Sequence, residues 1–281
     1  MSALPPDSYV KVGPYNTRYW EAGRKGSVVL LVHGLGGSVE NWSQNIGPLS
    51  KRHRVYALDL PGFGRTDKAP IPRTLYDLVD FIAQFMGKVG IDKASLAGNS
   101  LGGGLVLQFA AQYAALTEKL ILADSAGLGR DVRIDLRACA VPCLGEWLTR
   151  HSRNTVVSLW RKIVYDPALV SDELVDLTYE LYRLPGAREA LLTTLRAGID
   201  LGGQRKKLVE ELRRNLPAIT SPVLITWGRQ DGIIPLKHAE AGRRQLARSE
   251  VYVFEECGHM PQFEHPDLFN ELALRFLAAE D

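Results

Sequence analysis

A chain of 281 residues with 46% hydrophobic and 23% charged side chains has the make-up of a soluble globular protein with a sizeable core. That length sets a prior of about two domains, or one domain carrying a large insertion. The 34 basic residues are balanced by 32 acidic ones, which excludes an overall electrostatic footprint for nucleic acid, and no stretch reaches the ~20 apolar residues of a membrane span.

The first ten residues, Met1 to Val10, hold Pro5, Pro6 and Asp7 and no apolar h-region, so no signal peptide is expected. Three cysteines cannot form a disulfide framework, and the odd count suits a reducing compartment, so the expected location is cytoplasmic. Cys139 and Cys143 have helical spacing without a nearby histidine or second cysteine pair, so they are expected as small apolar residues of one helix rather than metal ligands.

In chain order, Tyr9–Val12 and Thr17–Trp20 flank Gly13-Pro14 and predict a hairpin at a sheet edge. Short apolar runs bounded by turn signals predict strands buried on both faces at Val28–Val32, Val55–Leu58, Ala94–Ala97 and Leu120–Ala123. Two more follow at Val223–Trp227 and Val251–Phe254. Helical stripes separate them: Leu75, Leu78, Val79, Ile82 and Met86; then Leu101, Leu105, Val106 and Phe109; and at the end Leu268, Leu272 and Phe276. Strands alternating with helices predict an α/β fold with a mostly parallel sheet covered by helices on both faces.

From the strand start at 120 to that at 223 is 103 residues, against 26 to 39 between other neighbouring starts, and no comparable strand run lies between. Val170, Leu174, Leu177 and Leu181 recur there at helical spacing behind Ser171, a good N-cap followed by Asp172 and Glu173. The expected organisation is a core domain of residues 1–129 and 216–281 with a helical cap, 130–215, inserted into it. Arg205, Lys206 and Lys207, followed by Glu210, Glu211, Arg213 and Arg214, read as a solvated helix face.

Directly after the strand at 94–97 stands Gly98-Asn99-Ser100-Leu101-Gly102, then Gly103 and Gly104. This is G-x-S-x-G in the strand–turn–helix context it requires: a strained serine backbone needs glycines two residues to either side. The helix starting at Leu101 aims its N-terminal amides at the serine, where negative charge would develop. Neither Gly-rich segment suits a nucleotide: Gly98–Gly104 lacks the G-K-[ST] ending, and His33-Gly34-Leu35-Gly36-Gly37 has Val39 where a third fingerprint glycine would stand. That second loop instead suits an oxyanion hole, with the backbone N–H groups of Leu35 and Leu101 as its donors and His33 as a bracing side chain.

A nucleophilic serine needs a base, and the base an orienting carboxylate. Of six histidines, His259 in Cys257-Gly258-His259-Met260-Pro261 follows the last strand, at the end of the sheet where such sites form. His53, His151, His238 and His265 lack that placement and are expected at the surface. Asp231 follows Val223–Trp227 and is the expected acid, with Asp124 at the end of Leu120–Ala123 as its rival. The order Ser100, Asp231, His259 matches that of the elbow architecture.

Together, His33–Gly37, Asp59-Leu60-Pro61-Gly62-Phe63-Gly64, Gly98–Gly103, Trp227-Gly228-Arg229-Gln230-Asp231 and Gly258-His259 resemble the α/β-hydrolase superfamily over nearly the whole chain. The resemblance implies a cap after the sixth strand and no metal or organic cofactor. Ser100 stands where the family's epoxide hydrolases and haloalkane dehalogenases carry aspartate. The elbow and Val164-Tyr165-Asp166-Pro167 look like the meta-cleavage-product hydrolases, which split carbon–carbon bonds. Thr178 stands where those enzymes carry a cap arginine, and Met260 where they usually have tryptophan, leaving Arg183 or Arg188 as substitutes. The segment Gly258–Pro266 looks more like carboxylesterases and lactone hydrolases. The expectation is therefore a carboxylesterase-like serine hydrolase taking small to medium acyl chains. Carbon–carbon hydrolysis is the alternative, and a small-molecule receptor the alternative of another class. Asn99, Trp147, Trp160, Thr178 and Met260 are expected to line the pocket. The expected partner is a small-molecule ester, with neither nucleic acid nor membrane, as a monomer or homodimer.

Overall fold

The computed structural model describes residues 4–150 and 152–279. Its strands are β1 (Ser8–Val12), β2 (Tyr15–Ala22), β3 (Val28–Val32), β4 (Arg54–Leu58), β5 (Ala94–Asn99), β6 (Thr117–Ala123), β7 (Ile199–Asp200), β8 (Gly203–Gln204), β9 (Val223–Gly228) and β10 (Ser249–Phe254). Eight of them form one sheet in the order β1-β2-β4-β3-β5-β6-β9-β10. The β1–β2 hairpin and the β2–β4 pair are antiparallel, and all pairs from β4 to β10 are parallel. The hairpin around Gly13-Pro14 thus caps one edge, as expected, while the continuous apolar runs fill the middle.

The helices are α1 (Ile46–Ser50), α2 (Leu75–Lys88), α3 (Leu101–Gln112), α4 (Ile134–Cys139), α5 (Leu144–Leu148), α6 (Arg153–Ile163), α7 (Asp172–Tyr182), α8 (Ala187–Gly198), α9 (Lys206–Asn215), α10 (Lys237–Arg243), α11 (Pro261–Glu264) and α12 (Pro266–Ala278). Because side chains alternate along a strand, β3 sends Leu30 and Val32 to a core shared with α2 and α3, and Val29 and Leu31 to a core shared with α1 and α12. That two-faced burial demands an apolar residue at nearly every position of β3. Among the described residues no helix is long and apolar enough to cross a membrane.

Between β6 and β9 lie α4–α9 and the two-residue strands β7 and β8, a small ladder that sequence runs could not reveal. Ser171 caps α7 by accepting from the Leu174 N–H at 3.2 Å. The insert has a small core of its own, Val156, Trp160, Val164 and Val175, joined by Met260 from the loop after β10. On α9, Lys206 and Lys207 reach Glu210 and Glu211 one turn on, across a solvated face.

Three expectations need correction. Cys143 does not share a helix with Cys139: its φ of +66° breaks the chain between α4 and α5, and its side chain is exposed. His53 and His238 are buried, not superficial. His53 bonds the Ser27 hydroxyl at 3.0 Å, and His238 lies against Gly129, where a Cβ would strike its ring. His265 is half-buried, and His151 falls outside the described residues.

Candidate active site

Ser100 sits between β5 and α3 with φ +56° and ψ −118°, a strained conformation for a residue with a side chain. The strain is enforced from all sides. A Cβ at Gly98 would collide with the Gly102 carbonyl, and one at Gly102 with the Val32 carbonyl. The Ser100 N–H is held by the Ala123 carbonyl at 2.9 Å, and its carbonyl accepts from Gly104 and Ala126.

Asp231 and His259 come together from the loops after β9 and β10. His259 Nδ1 lies 2.8 Å from Asp231 Oδ2, and the other oxygen, Oδ1, accepts from the Ile233 and Ile234 N–H groups at 2.7 and 3.1 Å. With Nδ1–H donated to that carboxylate, the neutral imidazole keeps Nε2 as its free acceptor. Ser100 and His259 both line a cavity of about 730 Å³, while Asp231 stands behind the imidazole.

Leu35 and Leu101 line the same cavity, and among the described residues neither N–H donates to a protein acceptor. The loop bearing Leu35 is braced from behind. His33 Nδ1 donates to the Gly34 carbonyl at 2.7 Å while Nε2 accepts from the Leu60 N–H at 3.0 Å. Burial pushes the His33 imidazole down to about 4, so it stays neutral and serves as a strut. Beyond it Asp59 accepts from the Val39 and Arg65 N–H groups, both at 2.7 Å, and meets the fully buried Arg18 at 3.3 Å. Arg18 also holds Asp7 and Glu40 at 2.7 Å each. Burial lifts the Asp59 carboxyl to about 6 against the pull of Arg18. This network straps the loop at 34–39 to the turn at 59–66.

Of the expected pocket residues, Asn99, Trp160, Thr178 and Met260 line the cavity. Asn99 also donates to the Ala123 and His259 carbonyls, at 3.1 and 3.0 Å, and so ties the elbow to the histidine loop. Trp160 donates from Nε1 to the Thr178 hydroxyl at 3.0 Å, and that hydroxyl donates to the Leu174 carbonyl at 2.8 Å. Trp147 does not belong to the lining. It is 58% exposed on α5, a helix of five residues whose cavity side is taken by Leu148.

Sequence reasoning missed Glu264. Buried in α11, its Oε2 accepts from the Gly258 and Tyr165 N–H groups at 2.9 and 2.6 Å, and its Oε1 from the Met260 N–H at 3.0 Å. It therefore clamps both neighbours of His259 and joins them to the insert, whose Ile163 carbonyl accepts from the His259 N–H at 2.7 Å. The available signal was an acid inside the run Cys257–Pro266, which holds no other acid, lysine or arginine.

A strand-borne elbow serine, a carboxylate-oriented histidine and an apolar cavity over a mostly parallel sheet define the α/β-hydrolase class of protein. The chain belongs to the alpha/beta hydrolase family, whose model matches residues 29–272. It is 33% identical over 269 residues (96% of this chain, 68% of the relative) to the dihydrolipoyllysine-residue acetyltransferase component of the acetoin cleaving system of Cupriavidus necator. It is 32% identical over 262 residues (90% and 88%) to 2-hydroxy-6-oxo-6-phenylhexa-2,4-dienoate hydrolase of Burkholderia cepacia. The solved structure of a meta-cleavage product hydrolase from Pseudomonas fluorescens IP01 superposes with a TM-score of 0.83 at 31% identity, over 97% of each chain.

Proposed function

We propose that this hydrolase cleaves carboxylic esters of small to medium acyl chain through an acyl-enzyme on Ser100. Ser100 Oγ attacks the ester carbonyl while His259 Nε2 takes its proton and returns it to the leaving alcohol. Asp231 holds the imidazole in the required tautomer, and the Leu35 and Leu101 N–H groups receive the oxyanion, where each donor is worth about 10²–10³ in turnover. Water, deprotonated by His259, then attacks the acyl carbonyl and releases the acid and Ser100. The chemistry calls on no metal or organic cofactor.

The observation that carries this reading is position 178. The threonine hydroxyl there is engaged by Trp160 and Leu174, so this position offers a closed hydrogen-bond pair and no cation. A substrate carboxylate buried there would lack a partner, whereas an uncharged ester requires none.

Carbon–carbon hydrolysis of a 2-hydroxy-6-oxo-dienoate is the second reading, and the names of the relatives favour it. It finds support in Arg188, half-buried on α8, which lines the cavity without an ion-pair partner among the described residues. The two readings separate by kcat/KM on p-nitrophenyl esters of graded length beside such a dienoate, in the wild type and in Thr178→Arg. The ester reading expects wild-type preference for esters and a shift toward the dienoate in the variant. A wild type that already prefers the dienoate by a large factor establishes the second reading instead.

A further inference from the structure

Asp124 directly follows β6, with φ +46°, and is completely buried. Its Oδ1 accepts from the Gly228 N–H at 3.0 Å. Its Oδ2 is buried and has no donor. Carboxyl oxygens of Asp124 and Asp231 and a ring nitrogen of His259 all lie within 4.8 Å of one another. Asp231 already accepts three hydrogen bonds, two from backbone N–H groups and one from His259. As a pair of carboxylates, these two acids would leave one buried oxygen unsatisfied and set like charges side by side with no lysine or arginine paired to Asp124 among the described residues. Both problems vanish when one proton sits on the unsatisfied oxygen.

The geometry points to Asp124 as a positioning residue: a neutral carboxylic acid whose Oδ2–H donates to the Asp231 carboxylate and holds it on His259. The inference rests on the proposed roles of Asp231 and His259 and adds a fourth member behind them. Asp124 touches no substrate and acts through Asp231 alone.

The electrostatic surroundings agree. Burial first, then the Asp231 charge, hold the Asp124 carboxyl well above the usual carboxylate range, and only the Gly228 N–H pulls the other way. The titratable groups around it are Asp231 from the loop after β9, Cys257 and His259 from the loop after β10, and Glu264 from α11. Glu264 adds a further negative charge, and burial keeps the Cys257 thiol protonated. An acid raised in the folded state keeps its proton at low pH and loses it as pH rises through its folded value. Ionisation of Asp124 then replaces a donor to Asp231 by a second negative charge, so turnover falls on the alkaline side.

Two substitutions tolerate the left-handed backbone at 124 and differ in chemistry. Asn keeps an acceptor for Gly228 and a donor for Asp231, and Gly keeps neither. The test uses the full chain with p-nitrophenyl acetate and the infrared carbonyl stretch of neutral carboxylic acids near pH 7. The expected result is a neutral-acid band in wild type and in Ser100→Ala that disappears in Asp124→Asn. Asp124→Gly lowers kcat by about 10–100-fold, Asp124→Asn recovers most of that loss, and the wild-type alkaline limb is missing from the Asn profile. An absent band, a band that survives Asp124→Asn, or equal impairment of the Asn and Gly variants overturns the proposal. Should the protein show no ester turnover while the band behaves as stated, the ester reading fails and the protonated Asp124 stands.

Discussion

The loops at the carboxyl ends of the strands and the helical insert between β6 and β9 face each other across one cavity and are built on opposite terms. In the loops, buried polar groups find partners: Asp231 in two backbone N–H groups and His259, Glu264 in three backbone N–H groups, His33 in the Gly34 carbonyl and the Leu60 N–H. Asp124 Oδ2 is an exception that the proposed proton resolves, and the Gln262 amide group and Asn45 Oδ1 are further buried atoms without a partner. The insert relies on a thin apolar core and shows its apolar residues to solvent. Of ten exposed large hydrophobic side chains among the described residues, seven (Ile134, Leu144, Trp147, Tyr165, Leu169, Leu184 and Leu201) lie within 130–215. The loops that bring Asp231 and His259 together are over-determined by hydrogen bonds, whereas the insert is held by apolar contact with much of its apolar surface exposed. The seam between the two includes the Ile163 carbonyl and the Tyr165 N–H, the Arg133 N–H on the Ile233 carbonyl, the Lys237–Asp131 ion pair, and Met260 packed into the insert's core.

Four variants test this contrast, in falling order of effect. Asp231→Asn keeps the shape of the loop but favours the wrong imidazole tautomer, so kcat is expected to drop by about 10⁴. Steady-state kinetics measures it, and a loss under tenfold would remove Asp231 from the account. Glu264→Gln presents an amide donor to backbone donors that now share a carboxylate. The expected cost is about 3 kcal/mol in stability, with kcat down about 10²-fold through misplacement of His259. Denaturant melts and kinetics on the same samples separate the two effects.

His33→Asn concerns stability against pH. His33 is held neutral by burial, its folded value lowered from 6.5 to about 4. A group depressed in this way contributes its stability above the unfolded value and loses it as pH falls toward the folded one. At 1.36 kcal/mol per unit, the wild type should lose about 3 kcal/mol between pH 6.5 and 4 on this account alone. Melts across that window should be flatter by that amount in His33→Asn, and an unchanged slope would contradict the strut role. Trp147→Ser lies at the small end, in the insert and away from the cavity. Stability should move by no more than about 0.5 kcal/mol and kcat/KM should stay where it was. A clear rise in KM would return Trp147 to the substrate wall.

The same contrast explains what could be read from the sequence. The strands at Val28–Val32 and Val223–Trp227 were legible because burial on both faces leaves no polar position to confuse the pattern. The elbow was legible because its glycines are a steric requirement, and Asp231 and His259 because each follows a strand at the reactive edge. Trp147 was not legible: five residues of α5 give too short a period to tell an inward from an outward side chain, and the insert tolerates apolar exposure. Buried His238 was hidden for another reason, since its burial depends on Gly129, more than a hundred residues away in the chain. Glu264 escaped because a carboxylate that accepts chiefly from backbone N–H groups leaves no charged partner residue to search for.

The account stands or falls on Ser100 as the nucleophile, and active-site titration tests it most directly. Wild-type protein is incubated with an organophosphate ester, and the adduct is located by mass spectrometry of the peptides. The predicted result is one phosphoryl group per chain, on Ser100, with ester hydrolysis lost in step with labelling, and neither labelling nor turnover in a folded Ser100→Ala. Stoichiometric labelling of another serine, or hydrolysis that persists in Ser100→Ala, would contradict it.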